Sequence, residues 1–331
     1  MILSIICPTL NEEKYIVQTL ESFMSQQYHS FELEVLICDG MSTDDTRAIV
    51  GDYSNKYPNI RLVDNPERKT PFAFNAGLKA ASGEYVAILG AHTKYDSNYL
   101  QVCYDELVAS GSIGCTGRVI TKAAYNTFEA KLSEWTMLSS FGVSTSSFRA
   151  MQEGYVHSVN FPVFKKQPLL DLGGYDTKLE RNQDNDMNQR LLDAGYKLYC
   201  TWKTKCFYRP PASLKALFRY AYRGGFWNAK SFLVHSRSMR LHHLIPFFFT
   251  LAIISSAILG VIEFSIFQTT YFLGLLGVVI ALHLLTGMAF AARSLKYNND
   301  PRKIILPFIF FAFHFSYGWG TLRGFLKGKR Y

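Results

Sequence analysis

Nothing narrows the folds open to this chain as much as two long apolar runs near its end, Leu244–Ile262 and Thr269–Ala292. Each is long enough to cross a bilayer as a helix, which takes ~20 residues. Ile304–Leu322 is a third candidate, weaker because Pro307, His314 and two glycines interrupt it. The link from Glu263 to Thr270 carries no basic residue, whereas Arg293, Lys296, Arg302 and Lys303 fill the next one. Positive-inside logic puts the first link outside and the second inside. The tail with Arg323, Lys327, Lys329 and Arg330 is basic as well, which conflicts with three clean crossings.

The net charge of +9 raises nucleic acid as a partner, but its location argues otherwise. No Asp or Glu occurs from Ala194 to Ile262, while Lys197, Lys203, Lys205, Arg209, Lys215, Arg219, Arg223, Lys230, Arg237 and Arg240 are all basic. That block runs straight into an apolar segment, so it reads as attraction to anionic membrane lipids and retention on the cytoplasmic side. No nucleic-acid partner is expected. Ser213 is placed to cap a short helix ending near Arg223 and closed by Gly224-Gly225. Its basic stripe of Lys215, Arg219 and Arg223 beside Leu214, Leu217, Phe218 and Ala221 suits a helix lying in the interface. Cys7, Cys38, Cys103, Cys115, Cys200 and Cys206 show no CxxC and no zinc spacing, so they read as buried, reduced thiols. Met1–Pro8 lacks a basic n-region, and the amino-terminal domain is expected to stay in the cytosol.

The front of the chain alternates Leu3–Cys7, Glu34–Cys38, Ile60–Val63 and Tyr85–Leu89, which read as strands, with helix-compatible stretches at 12–26, 44–55 and 71–81. That order predicts an α/β domain with a mostly parallel sheet covered on both faces. Ligands on such sheets bind beyond the carboxyl ends of the strands. Three strand-end segments stand out: PTLNEE (Pro8–Glu13), DGMSTDDT (Asp39–Thr46) and RNQDNDMNQRLLDAGY (Arg181–Tyr196), in the last of which a polar cluster opens an amphipathic helix. A strand ending in an acidic turn before Ser/Thr and a helix suits a nucleoside: the carboxylate accepts from a base N–H or ribose hydroxyl, and helix N-termini face a diphosphate. Singly, each has a plainer explanation, as a turn, a helix cap or a loop residue. Their joint order and strand context favour the ligand site.

With these motifs, and with NAGLKAASGEYVAILGAH, GGYD and QD before DMNQRL, the chain resembles the inverting glycosyltransferases of GT-A fold, closest to the succinoglycan-type branch that extends lipid-linked units. The resemblance covers residues 1 to about 230 and returns in HFSYGWGTLRGFLKG. It implies a nucleotide-sugar donor, commonly a UDP-sugar, and a single displacement with inversion. Thr9, Glu12 and Asp39 would hold the nucleoside, and Asp184 matches the catalytic carboxylate. A sugar hydroxyl is a poor nucleophile, so a base must take its proton; the plainer use of Asp184 is as an acid at a helix N-terminus. Asp186, two positions on, would face away. Arg219, Arg223 and Trp227 sit where related enzymes close over the diphosphate or acceptor. The family's acidic metal motif after GEYVAIL reads Gly90-Ala91-His92 here, leaving His92 as the one potential ligand in the motif for a divalent cation, Mn²⁺ or Mg²⁺, of which a lone histidine holds Mn²⁺ better. The plainer use of His92 is as a hydrogen-bonding loop residue, with Arg219 or Arg223 neutralising the leaving group instead.

The expected organisation is a catalytic domain over 1–210, a basic amphipathic linker over 211–243, two or three membrane helices over 244–322 and a basic tail over 323–331. The acceptor would be a polyprenyl-linked saccharide in surface polysaccharide assembly. Transfer to polyprenyl phosphate itself, and a catalytically inactive scaffold, are the rivals. The expected location is the cell membrane, multi-pass, with the catalytic domain cytoplasmic.

Overall fold

The structure, a computed structural model, describes residues 1–91, 93–143, 152–234, 241–295 and 299–328. His92, Arg237, Arg240, Lys296, Lys329 and Arg330 lie outside them. The chain divides into two compact units, one of Met1–Ile120 with Phe148–Arg209 and one of Thr121–Ser147 with Pro210–Tyr331.

The first unit is built on one nine-stranded sheet. Its parallel half comes from β1 (Ile2–Thr9), β2 (Glu32–Asp39), β3 (Ile60–Asp64) and β4 (Tyr85–Ile88), joined through α1 (Ile16–Met24), α2 (Thr46–Lys56) and α3 (Thr70–Ala80). β1 pairs with β2 and β4, and β2 with β3, all in parallel. The strands alternate faces as the two-residue period demands. Leu3, Ile5 and Cys7 pack with Ile16, Leu20 and Phe23 of α1, and Ile6 packs with Ala73, Phe74 and Leu78 of α3. All six cysteines are buried free thiols.

The remainder is not parallel. It comprises β5 (Lys94–Tyr95), α4 (Tyr99–Ser110), β6 (Gly114–Thr121), then α5 (Phe128–Leu138), which belongs to the second unit. β7 (Gly154–Val156), β8 (Val163–Lys165), α6 (Lys166–Asp171), α7 (Gln183–Asp193) and β9 (Leu198–Tyr208) follow. β8 runs antiparallel to both β4 and β6, and β9 to β5 and β7. The sheet is therefore mixed rather than mostly parallel. The strands of this half are mostly two or three residues long, too short to leave an alternating signature.

In the second unit α8 runs without a break over Leu214–Val234. Gly224-Gly225 do not close it, contrary to the sequence expectation. They admit a neighbour instead: a Cβ on Gly225 would fall on the carbonyl of Tyr317. The later helices are α9 (Ile245–Phe267), α10 (Tyr271–Leu295) and α11 (Leu306–Leu326), and all three are long and apolar enough to cross a membrane. Glu263, an acid in the apolar α9–α10 hairpin, caps α10. Its carboxylate accepts from Thr269 Oγ1 at 2.6 Å and from the N–H groups of Tyr271 at 3.1 Å and Phe272 at 2.9 Å. Helix N-termini leave such donors free, and a carboxylate satisfies them well.

α8 and α11 run side by side in the same direction. Gly320 faces the carbonyl of Tyr222, Gly324 that of Phe226, and Lys230 donates to the carbonyl of Gly328. These contacts advance by one turn on each helix, a close backbone approach of the kind small residues permit.

Candidate functional site

The β1–α1 and β2–α2 loops are laced together at the carboxyl edge of the sheet. Asn11, in the left-handed region at φ 54°, donates its N–H to Ser42 Oγ at 2.8 Å, and its Oδ1 accepts from the Thr43 N–H at 2.9 Å. The Glu12 N–H donates to Thr46 Oγ1 at 2.8 Å and the Glu13 N–H to Asp44 Oδ2 at 3.1 Å. Thr9 stands opposite Asp39 in the β1–β2 register, and its carbonyl accepts from the Gly40 N–H at 2.8 Å. The structure thus gathers Thr9, Glu12 and Asp39 at one edge. The Thr9 hydroxyl turns inward, towards the Cys7 carbonyl at 3.3 Å.

Asp39 is fully buried. Its carboxylate accepts from the Ser42 N–H at 2.9 Å, Ser42 Oγ at 2.5 Å and Arg47 Nη1 at 2.8 Å. The other arm of Arg47 reaches Asp64 at the end of β3, at 2.8 Å. Arg47, in the first turn of α2 and eight residues after Asp39, carries no motif of its own in the sequence.

A pocket lies where β1 and β4 end. Pro8, Leu89 and Gly90 contribute from these strand ends, Asn160 and Phe161 precede β8, and Gln183, Asp184 and Asn188 come from α7. Asp184 sits in the first turn of α7, after Asn182 at φ 62°. Asn160 Nδ2 donates to its Oδ2 at 3.1 Å and the Asn185 N–H to its Oδ1 at 2.9 Å. Desolvation raises its carboxyl above the ordinary value, against the opposing pull of these hydrogen bonds and of the Arg181 charge. A carboxylate with raised proton affinity is the better general base.

Asp186 is buried and paired with Arg190 Nε at 2.8 Å. The Arg190 fork continues to the carbonyls of Leu172 at 2.9 Å and Gly174 at 2.8 Å, gripping the GGYD turn. Gly174, at φ 75°, lies so close to Asn75 that a Cβ there would come within 2.5 Å of its Oδ1. Asn75 clasps the backbone of Tyr175 on both sides, each at 2.8 Å. The NAGLKAASG and GGYD motifs therefore form one wall, which sets the Tyr175 ring in the pocket.

Gly90 lines the pocket, and a Cβ on it would make only ordinary contacts, 3.5 Å from Phe161 and 3.9 Å from Thr93. Packing leaves room for a Cβ there. Among the described residues no group of three His, Cys, Asp or Glu gathers to hold a metal ion. Arg219, Arg223 and Trp227 lie on successive turns of α8 in the other unit, the two arginines exposed and the tryptophan half-buried.

The family model described as "Glycosyl transferase family 2" matches residues 4–166, from β1 through β8. The matched stretch, just under half of the chain, belongs to this family. Two curated relatives extend the likeness. One is a dolichyl N-acetyl-alpha-D-glucosaminyl phosphate 3-beta-D-2,3-diacetamido-2,3-dideoxy-beta-D-glucuronosyltransferase from Methanococcus voltae, 29% identical over 99% of this chain and 98% of its own. The other is the succinoglycan biosynthesis protein ExoA of Rhizobium meliloti, 28% identical over 73% of each. Among solved structures, the mannosyltransferase PcManGT from Pyrobaculum calidifontis, in complex with GDP-Man and Mn²⁺, superposes with a TM-score of 0.60 at 18% identity, over 96% of this chain and 87% of that one. The fold of this family-2 glycosyltransferase is accordingly GT-A. The family model stops short of Asp184 and α8, so their roles rest on geometry and motif.

Proposed function

We propose that this family-2 glycosyltransferase moves a sugar from a nucleoside-diphosphate donor, UDP by resemblance, onto a lipid-linked saccharide at the cytoplasmic membrane face. The observation that carries the reading is Asp184, a desolvated carboxylate at the strand-end pocket. Asp184 removes the proton of the acceptor hydroxyl while that oxygen attacks the anomeric carbon. The bond from that carbon to the diphosphate breaks on the opposite side, the electron pair leaves with the phosphate oxygen, and the configuration inverts. No covalent enzyme intermediate is needed. Thr9, Glu12 and Asp39 hold the nucleoside, and Arg219, Arg223 and Trp227 serve the leaving diphosphate or the acceptor's phosphate. The solved neighbour named above contains Mn²⁺. In this chain His92 remains the sequence candidate for a ligand, and no step here is routed through a metal.

The Methanococcus relative's name specifies an acceptor that already carries a sugar on a dolichyl phosphate. That supports a lipid-linked saccharide over bare polyprenyl phosphate. An anchored enzyme also gains effective concentration over a lipid substrate.

Asp39→Asn tests the nucleoside site. Its affinity for UDP by calorimetry should fall by about 1–3 kcal/mol. Unchanged affinity in a folded variant would make Asp39 only the partner of Ser42 and Arg47.

For topology, we assign the two crossings to α9 and α10, with α11 lying along α8 at the membrane surface. α11 is the most buried of the three apolar helices, and its parallel contact ties its direction to that of α8. Standing the pair upright would drive Arg219, Arg223, Lys230 and Arg323 towards hydrocarbon, at roughly 2.5–3.5 kcal/mol for each one near the centre. Lying flat keeps the basic tail on the cytoplasmic side of the membrane and removes the conflict noted in the sequence. All native cysteines are buried, so introduced ones report cleanly. Ser265→Cys, in the exposed α9–α10 hairpin, should react with an impermeant thiol reagent in intact cells, and Lys327→Cys only after lysis. Labelling of both from outside would mean that α11 crosses, and labelling of Ser265→Cys only after lysis would invert the orientation.

A further inference from the structure

Among the described residues, six buried side-chain nitrogen or oxygen atoms lack a hydrogen-bond partner. Three of them, Asn160 Oδ1, Gln183 Oε1 and Asn188 Oδ1, belong to residues lining the pocket that holds Asp184. A buried polar atom without a partner is costly and uncommon, so three around one cavity mark an incomplete site rather than a scattered defect.

Two of the three amide orientations, those of Asn160 and Asn188, are fixed by what they face. Asn160 turns its NH₂ to the Asp184 carboxylate at 3.1 Å, and an ionised carboxylate only accepts. Asn188, only 2% exposed, turns its NH₂ to Ser158 Oγ at 3.0 Å and to the Val159 carbonyl at 3.1 Å, which also only accepts. In both, the carbonyl oxygen is the atom left over. The pocket thus offers three side-chain oxygens that need donors, beside the Asp184 carboxylate.

We propose that Asn160 Oδ1, Gln183 Oε1 and Asn188 Oδ1 receive the hydroxyl or acetamido N–H donors of a sugar ring seated against Asp184. This rests on the glycosyl-transfer reading and adds to it the residues that recognise the sugar. Asn160 then has two tasks: its NH₂ steadies the base, and its oxygen reads the ring whose hydroxyl the base deprotonates, or the ring that is being transferred. The chemistry is shared by both sugars, the donor's and the acceptor's.

Gln183→Met is the discriminating variant, because it nearly preserves volume, removes the amide and leaves the Asn160–Asp184 contact intact. Single-deoxy analogues of the sugar nucleotide and of the acceptor saccharide are the probes, each titrated alone by calorimetry so that no transfer occurs. The parent sugar should bind Gln183→Met roughly tenfold more weakly, the effect of one hydrogen bond to a buried acceptor. The melting temperature should stay level or rise, since an orphaned polar atom is gone. For one hydroxyl position, removing the hydroxyl should weaken binding to the protein with Gln183 and change nothing in Gln183→Met. A response in the nucleotide series assigns the wall to the donor's sugar, and one in the acceptor series to the acceptor's. Undiminished binding of both parent sugars to folded Gln183→Met overturns the proposal, as does a change confined to the Mn²⁺ or Mg²⁺ concentration required. Protein that binds UDP yet ignores every deoxygenation overturns it while leaving glycosyl transfer standing. Transfer by Asp184→Asn at the normal rate sinks the base assignment and leaves these affinities readable.

Discussion

Asp184→Asn should lower turnover by roughly 10²–10⁴-fold, the contribution of a positioned general base, with little change in donor affinity. The amide keeps the size of the carboxylate and cannot take the acceptor's proton. The same variant should melt no lower than the parent at neutral pH, and preferably higher. Desolvation holds the Asp184 carboxyl above the ordinary value of 3.8 in the folded protein. The folded state therefore binds that proton more tightly than the unfolded chain does. This contribution to stability is fully present below about pH 3.8 and is lost as pH rises through the higher folded value. At neutral pH the parent protein bears a desolvated charge that asparagine lacks. Loss of activity without loss of stability separates a working residue from a structural one. Near-normal turnover, or a large fall in melting temperature at pH 7, would contradict the assignment. The acidic limb of kcat/KM should also lie above the ordinary carboxylate range, and Asn160→Leu should move it higher by removing a hydrogen bond to the charged form.

The α8–α11 seam should be the most sensitive place in the second unit. A Cβ on Gly320 would fall on the Tyr222 carbonyl, and one on Gly324 would come within 2.6 Å of the Phe226 carbonyl. Backbone atoms cannot swing aside as a side chain can. Gly320→Ala should therefore cost about 1–3 kcal/mol, the usual range for overpacking, and Gly320→Leu should separate the helices altogether. Gly277→Ala in α10, where a Cβ meets nothing within 4 Å, is the matched control and should melt like the parent in detergent. A melting temperature for Gly320→Ala equal to that of the control would contradict the parallel packing.

The first half of the sheet was legible because each strand is a compact apolar run followed by a helix, so period and order agree. The antiparallel half was not, since strands as short as Lys94–Tyr95 carry no pattern of their own and are held by neighbours distant in sequence. Asp39 and Asp184 stood out as acids in characteristic turns. Asn75 and Asn160 did not, because each acts through a partner that only the fold brings near; Asn75 and Tyr175 are a hundred positions apart. Gly224-Gly225 misled for a related reason. Glycine signals either a helix end or a close approach, and local sequence does not say which. The third apolar helix looked weak because of Pro307, His314 and its two glycines, and the glycines are where α8 and α9 come close, Gly318 abutting Pro246 and Gly320 abutting Tyr222.

The most direct test of the whole account is transfer of a radiolabelled sugar. Purified protein in liposomes would be supplied with a panel of labelled nucleotide sugars and a polyprenyl-diphosphate-linked saccharide. The account predicts label in the organic-extractable lipid, on a product one sugar longer than the acceptor, with inverted anomeric configuration and none formed by Asp184→Asn. Label appearing on polyprenyl phosphate alone, or in no lipid with any nucleotide sugar, would contradict it.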